Sequence, residues 1–195
     1  MTTTNNFPTR EYAEFLLAQA EQLNPGPWGK HSRNAAECAR KIAIACGYLD
    51  AEKAYILGLL HDIGRRFGIS HLAHVYDGYK YMLSLGYHDV AKICLTHSFC
   101  THDINAYIGK FDISQEKQEE LRCALDLIVY DDYDKLIQLC DALAGANGVL
   151  NIEERMMDVK QRYGFYPQTK WDKNLELKSY FEAKANADIY SIVRQ

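Results

Sequence analysis

The chain has no apolar run long enough to cross a bilayer, no surplus of positive charge, no closely paired cysteines and no glycine-rich GxxxxGK loop. Each absence excludes something. A membrane-spanning helix needs about twenty consecutive apolar residues, so no span is expected. A formal net charge of -4 argues against general nucleic-acid binding or attachment to an anionic membrane, which draw on clustered Lys and Arg. The six cysteines are Cys38, Cys46, Cys94, Cys100, Cys123 and Cys140. None forms a CxxC pair, so neither a disulfide framework nor a thiolate zinc site is expected, and they read as reduced core or half-buried thiols. The opening MTTTNNFPTREYAEF lacks a basic region followed by an apolar one and does not read as a secretory signal. A cytoplasmic protein is the default expectation. Without a GxxxxGK loop, nucleotide phosphates would have to be held by other means.

What is present is an ordinary globular balance: 195 residues, 48% hydrophobic and 25% charged, enough for one medium domain around a single core. Thr9 predicts a helix cap before a helix over 10–23, with Tyr12, Phe15, Leu16 and Ala20 as its apolar stripe. NPGPWGK breaks it. A second helix is predicted over 31–46, closed by Gly47, and a third over 51–64 behind an Asp50 cap. Further helices are predicted over 70–85, 88–98, 115–129, 133–144, 152–163 and 173–193. No stretch alternates as a strand does, and there is no repeat or low-complexity linker. The expectation is a single all-α domain over 1–195.

Several polar residues sit where apolar ones would pack. His61 and Asp62 follow Leu59 and Leu60, His97 lies one turn after Ile93, and Asp141 is flanked by Leu139, Cys140, Ala142 and Leu143. A buried ionised aspartate needs a cation or strong donors. With His31 and His74, the set comprises four imidazoles and two carboxylates. Taken singly, each histidine also reads as a hydrogen-bonded core or surface residue, and Asp141 as the partner of an arginine. Nitrogen and oxygen donors without thiolate suit iron, manganese, zinc, cobalt or nickel rather than calcium. Six such groups exceed the needs of one tetrahedral ion and are adequate for two ions bridged by a carboxylate, with Asp62 as the bridge. Gly58, Gly64 and Gly145 would let neighbouring helices or a ligand approach closely.

The ordered pattern of His31, then His61-Asp62 within HDIG, then Asp141 resembles the HD-domain superfamily of metal-dependent phosphohydrolases, HDIG subgroup. KHSRNAAECARKIA is similar to its first-histidine helix, AYILGLLHDIGRR to its central motif and YDKLIQLCDALA to the helix of the final aspartate. HVYDGYKYMLSLGY with DVAKICLTHSF resembles the stretch that supplies two extra histidines in dinuclear members. The resemblance spans about Trp28 to Leu150 and leaves 151–195 as a C-terminal helical extension. It implies a helical bundle in which His31, His61, Asp62 and Asp141 hold one divalent transition metal, and His74 and His97 a second, bridged by Asp62. His71 is a rival for the place of His74. Many members carry lysine after HDIG, where this chain has Arg65, which keeps the charge and can grip a phosphate but does not donate a proton.

The implied activity is hydrolysis of a phosphate ester or anhydride, with Asp62 and Arg65 as the catalytic residues and one or two metal ions as cofactor. Nucleotides or dinucleoside polyphosphates are the first substrates the resemblance suggests. Arg66 or Lys80 could join Arg65 in stabilising charge on phosphorus, and His71 or His102 could protonate a leaving group. Tyr76, Tyr79, Tyr81 and Tyr87 could stack on a base or simply pack helices. Two other readings use the same residues: a di-iron oxygenase and a non-catalytic nucleotide-binding module. Met156, Met157, Tyr163, Phe165, Tyr166 and Trp171 offer apolar surface for the core or for a homodimer contact.

Overall fold

The structure, a computed structural model, describes residues 6–194. Residues 1–5, part of the segment read for an export signal, and residue 195 lie outside the described residues. The first helix, α1 (Arg10–Leu23), begins where Thr9 accepts a hydrogen bond from the Tyr12 amide. Its buried face is Ala13, Leu16, Leu17 and Ala20, while Tyr12 and Phe15 turn outward. The predicted stripe was thus rotated, because Ala13 and Leu17 define the contact face as readily as the aromatics do and the smaller side chains fit the close approach.

Helix α2 (Trp28–Cys46) starts three residues before the predicted 31. Pro27 costs nothing there, since the first helical amides lack intrahelical partners, and the Trp28 indole N–H ties the start to Asn24 O at 2.8 Å. Gly47 ends α2 in the left-handed region at φ 74°. The Asp50 cap launches α3 (Ala51–Leu60), which is buried from Ala54 to Leu60. A short 3-10 turn (Ile63–Phe67) follows, so the predicted continuous helix over 51–64 is interrupted at the His61-Asp62 pair. Gly58 and Gly64 permit the packing here. A Cβ on Gly58 would lie 2.8 Å from Ala36 Cα, and one on Gly64 would lie 1.9 Å from His74 O, inside any allowed contact.

Helices α4 (Leu72–Ser84), α5 (His88–Thr96), α6 (Gln115–Leu127) and α7 (Asp132–Leu143) complete the bundle, with a second 3-10 turn at Ile104–Ala106. α7 opens with a capping box between Asp131 and Asp134. Two residue-pair strands, β1 (Ala144–Gly145) and β2 (Gly148–Val149), form a small antiparallel hairpin in register Ala144 to Val149. Beyond it lie α8 (Ile152–Tyr163), α9 (Gln168–Ala185) and α10 (Ile189–Val193). The predicted final helix over 173–193 is therefore two helices. Asn186 adopts the left-handed conformation (φ 49°, ψ 40°) and stops α9, and the Asp188 side chain caps α10.

The main core joins Leu16, Ile42, Leu57, Leu60 and Leu136 with Phe181 and Ile189 of the last helices. A smaller cluster of Leu72, Val75, Leu95, Phe99 and Leu121 lies under α4 and α6. The fold is all-α apart from the hairpin. Among the described residues no helix is long and apolar enough to cross a membrane.

Candidate metal centre

Helix ends assemble the site. His61 and His97 follow the last turns of α3 and α5, and Asp141 lies in the last turn of α7. His31 and His74 come from the first turns of α2 and α4. Three helix C-termini and two helix N-termini thus meet at the site, so the helix dipoles partly cancel there and the carboxylates carry its negative charge.

All four imidazoles are oriented in the same way. His31 Nδ1 donates to Ala144 O at 3.0 Å, His61 Nδ1 to Gly58 O at 2.7 Å and His97 Nδ1 to Ile93 O at 3.1 Å. His74 Nδ1 is bonded in the same way to His71 O. With Nδ1 protonated, each neutral ring turns an Nε2 lone pair inward, as a metal-ligating histidine does.

Those lone pairs converge on the two carboxylates. His31 Nε2 lies 3.0 Å from Asp141 Oδ1 and 3.2 Å from His61 Nε2. His74 Nε2 lies 3.1 Å and His97 Nε2 3.6 Å from Asp62 Oδ1, and the two rings' Nε2 atoms are 3.4 Å apart. Asp62 Oδ2 points the other way, 3.9 Å from His61 Nε2. Two groups of three ligand atoms result, His31–His61–Asp62 and Asp62–His74–His97, sharing Asp62. Donors about 2.1 Å from one ion would lie roughly 3.0 Å apart at right angles and about 3.4 Å apart at tetrahedral angles. The residues present therefore fit divalent metal: neutral imidazoles facing one another at such distances repel unless a cation or proton lies between them.

Electrostatics agree with that geometry. Burial opposes charge on Asp62, yet the Arg65 guanidinium, then His74 and His61, hold its carboxyl well below the ordinary range. Asp141 is likewise held low against burial by the hydrogen bond and charge of His31. Burial would lower the His31 pKa, but Asp141 raises it above the ordinary value, making His31 the proton acceptor of the metal-free cluster. Burial pushes His61 down, and burial with His61 nearby pushes His97 down to about 3.

The centre forms one wall of a cavity of ≈ 450 Å³. Arg65 lines it, with Nε donating to Asp62 Oδ2 at 2.6 Å. Other expected participants stand elsewhere. Lys80 is exposed and paired with Glu120 at 2.6 Å, and Arg66 lies over the Tyr81 ring, 4.2 Å from its centroid. His102 meets Ile128 O outside the cavity, and His71 faces Tyr163, edge to face, without lining it. The aromatic wall is formed not by Tyr76, Tyr79, Tyr81 or Tyr87 but by Trp28, Tyr107, Tyr163 and Tyr166. Gln138, one turn before Asp141, also lines the cavity. Its amide donates to Thr96 O and Phe99 O, while its Oε1 is buried without a partner. Ser98 Oγ sits 3.0 Å from His97 Nε2. Neither Gln138 nor Ser98 carries a signal in the sequence, since each is an ordinary polar residue until the fold aims it inward.

No curated protein and no solved structure matches the chain. A family model, the HD domain, matches residues 28–146, a span that includes all six inward-facing His and Asp residues. The chain belongs to the HD-domain family.

Proposed function

We propose that the chain is a metal-dependent phosphohydrolase of the HDIG subgroup, cleaving a phosphate ester or anhydride of a small substrate such as a nucleotide or dinucleoside polyphosphate. The observation that carries this reading is the four imidazoles, each tied at Nδ1 to a backbone carbonyl, whose Nε2 atoms face Asp62 and Asp141 beside a cavity of ≈ 450 Å³. That volume suits a nucleotide-sized ligand. His31, His61, Asp62 and Asp141 would hold one divalent transition metal, and His74 and His97 a second, with one oxygen of Asp62 turned to each group. Bound there, iron, manganese, zinc, cobalt or nickel supplies Lewis acidity and acidifies a coordinated water.

The remaining steps belong to side chains on the cavity wall. Arg65 keeps Asp62 ionised and oriented, and its other N–H donors can hold phosphoryl oxygens and offset the charge that develops on them. As a permanent cation it moves no proton. Burial pushes the Tyr107 phenol above its ordinary range despite the opposing charge of Arg65, so it stays protonated and presents an O–H donor. Gln138 braces the cavity wall through its amide, which donates to Thr96 O and Phe99 O.

The test combines elemental mass spectrometry on chelator-free protein with phosphate release from a nucleotide panel. We expect near two metal equivalents and turnover that a chelator abolishes and that is equal with and without oxygen. Iron with substrate-coupled oxygen uptake would replace this reading with a di-iron oxygenase. Nucleotide binding without turnover across all five metals would replace it with a binding module.

A further inference from the structure

The cavity has a second wall, built by the chain beyond the matched segment, and it is cationic. Arg155 and Arg162 come from α8 and Lys170 from α9, and all three line the same space as the metal centre. Arg155 Nη1 lies 3.3 Å and Arg162 Nη2 2.9 Å from one oxygen, Asp158 Oδ2, so two guanidiniums share a single carboxylate. That arrangement alone would be ordinary helix-surface pairing.

Lys170 is what distinguishes the wall. It is half-buried, its Nζ donates to Ser98 O at 3.0 Å, and among the described residues no carboxylate lies within ion-pair distance of it. Ser98 follows His97 in sequence, so the Lys170 side chain stands beside the centre; burial lowers its pKa, and the charge of Asp141 opposes that only in part. A half-buried lysine without a counter-ion is costly unless an anion visits. Counting ion pairs within this wall alone, three cations against the one carboxylate leave an excess of two positive charges, in a chain whose net charge is -4. A terminal phosphoryl group carries about -1.5 to -2 charges and three acceptor oxygens, which matches that excess; a lone carboxylate would leave one charge uncompensated. Guanidinium forks and a lysine are also the side chains that suit phosphate oxygens.

We propose that Arg155, Arg162 and Lys170 form a subsite for a second phosphoryl group, so that the substrate carries at least two: one at the metal centre and the next against α8 and α9. This rests on the phosphohydrolase reading and narrows its substrate class from phosphate esters in general to di- or polyphosphorylated compounds. It also gives the C-terminal helices a part in the site in addition to their part in the core.

The test is calorimetric binding of inorganic tripolyphosphate and of orthophosphate to the metal-loaded protein, at a clamped free metal concentration. Wild type should prefer tripolyphosphate by about tenfold or more, as two to three charge-assisted contacts provide. In Lys170→Met and in Arg155→Met/Arg162→Met that preference should fall to about twofold or less, whereas Arg155→Lys/Arg162→Lys, which keeps the charge, should retain most of it. Circular dichroism of each variant confirms the fold, and the lysine pair provides the comparison should the methionine pair fail to fold. Equal affinity of wild type for the two anions, or a preference unchanged in folded variants, would overturn the proposal. A preference that depends on these residues without any phosphate release sinks only the hydrolase reading. Turnover of a phosphate monoester without the preference sinks only the subsite.

Discussion

Asp134 and Asp62 are both buried, at 0% and 4% exposure, yet the fold treats them in opposite ways. Asp134 is surrounded by donors. Lys92 Nζ lies 2.6 Å from Oδ2, the Asp131 amide donates to the same oxygen at 2.7 Å, and Thr96 Oγ1 donates to Oδ1 at 2.7 Å. Asp62 has one such donor, Arg65, and otherwise faces the Nε2 atoms of His61, His74 and His97, which offer lone pairs when neutral. A buried carboxylate whose partners are complete is structural, because nothing remains for a ligand to satisfy. One that faces other acceptors needs something between them. The difference separates a capping device at the start of α7 from a candidate metal centre, although both are buried aspartates.

Breaking each carboxylate should therefore fail in a different currency. Asp62→Asn, nearly isosteric, should lower metal content measured by elemental mass spectrometry and reduce phosphate release by about three orders of magnitude. Unimpaired metal content in that variant would contradict the bridge. Asp134→Ala should instead cost about 3 kcal/mol of stability in urea unfolding, because it strips Lys92 of its most buried partner and opens the α7 cap. The folded fraction should still load metal. Loss of metal from folded Asp134→Ala protein would erase the distinction between the two sites.

Acid sharpens the comparison. The folded-state pKa of His61 lies below 6.5 and that of His97 falls to about 3, so the unfolded chain binds more protons in between. Their contribution to metal-free stability is present above 6.5 and is lost as pH falls from there toward about 3. His31 runs the opposite way. Its raised pKa stabilises the metal-free fold below 6.5 and that contribution is lost as pH rises through the folded value. With two lowered imidazoles against one raised, thermal melts of metal-free protein should show falling stability between pH 6.5 and 4, and bound metal should raise stability near neutrality but steepen that fall, because ligated imidazoles exclude protons in the folded state while the unfolded chain still takes them up. The same proton on His31 should weaken metal binding as pH drops below neutrality. The smallest effect is expected at Lys80→Met, which breaks an exposed pair with Glu120: under about 0.5 kcal/mol in urea unfolding, with metal content and turnover unaltered.

Much of this was legible in the residues themselves. Thr9, Asp50 and Gly47 mark helix ends through bonds that reach only a few residues, and the structure has those ends where the sequence puts them. His61, Asp62, His97 and Asp141 stood out because each interrupts an apolar stretch, His31 and His74 joined them through the ordered pattern of the family, and the fold brings all six together. The misreadings have physical causes as well. Tyr12 and Phe15 were read as core because hydrophobicity favours them, whereas the close contact of α1 admits Ala13 and Leu17. The break at Asn186 was missed because a left-handed asparagine followed two residues later by an aspartate cap is a weaker stop signal than glycine.

By itself, then, the sequence determined where the helices run and which polar side chains their apolar faces would carry inward, because caps and periodicity act over one or two turns. Only the tertiary structure decided which cations meet the cavity. Lys170 reaches Ser98 across 72 residues and His31 reaches Ala144 across 113, while Lys80 and Arg66, close to the motif in sequence, are turned elsewhere. Charge carries no periodicity that reports its final neighbours: a lysine on a helix surface is solvated or functional according to the wall that packs opposite it.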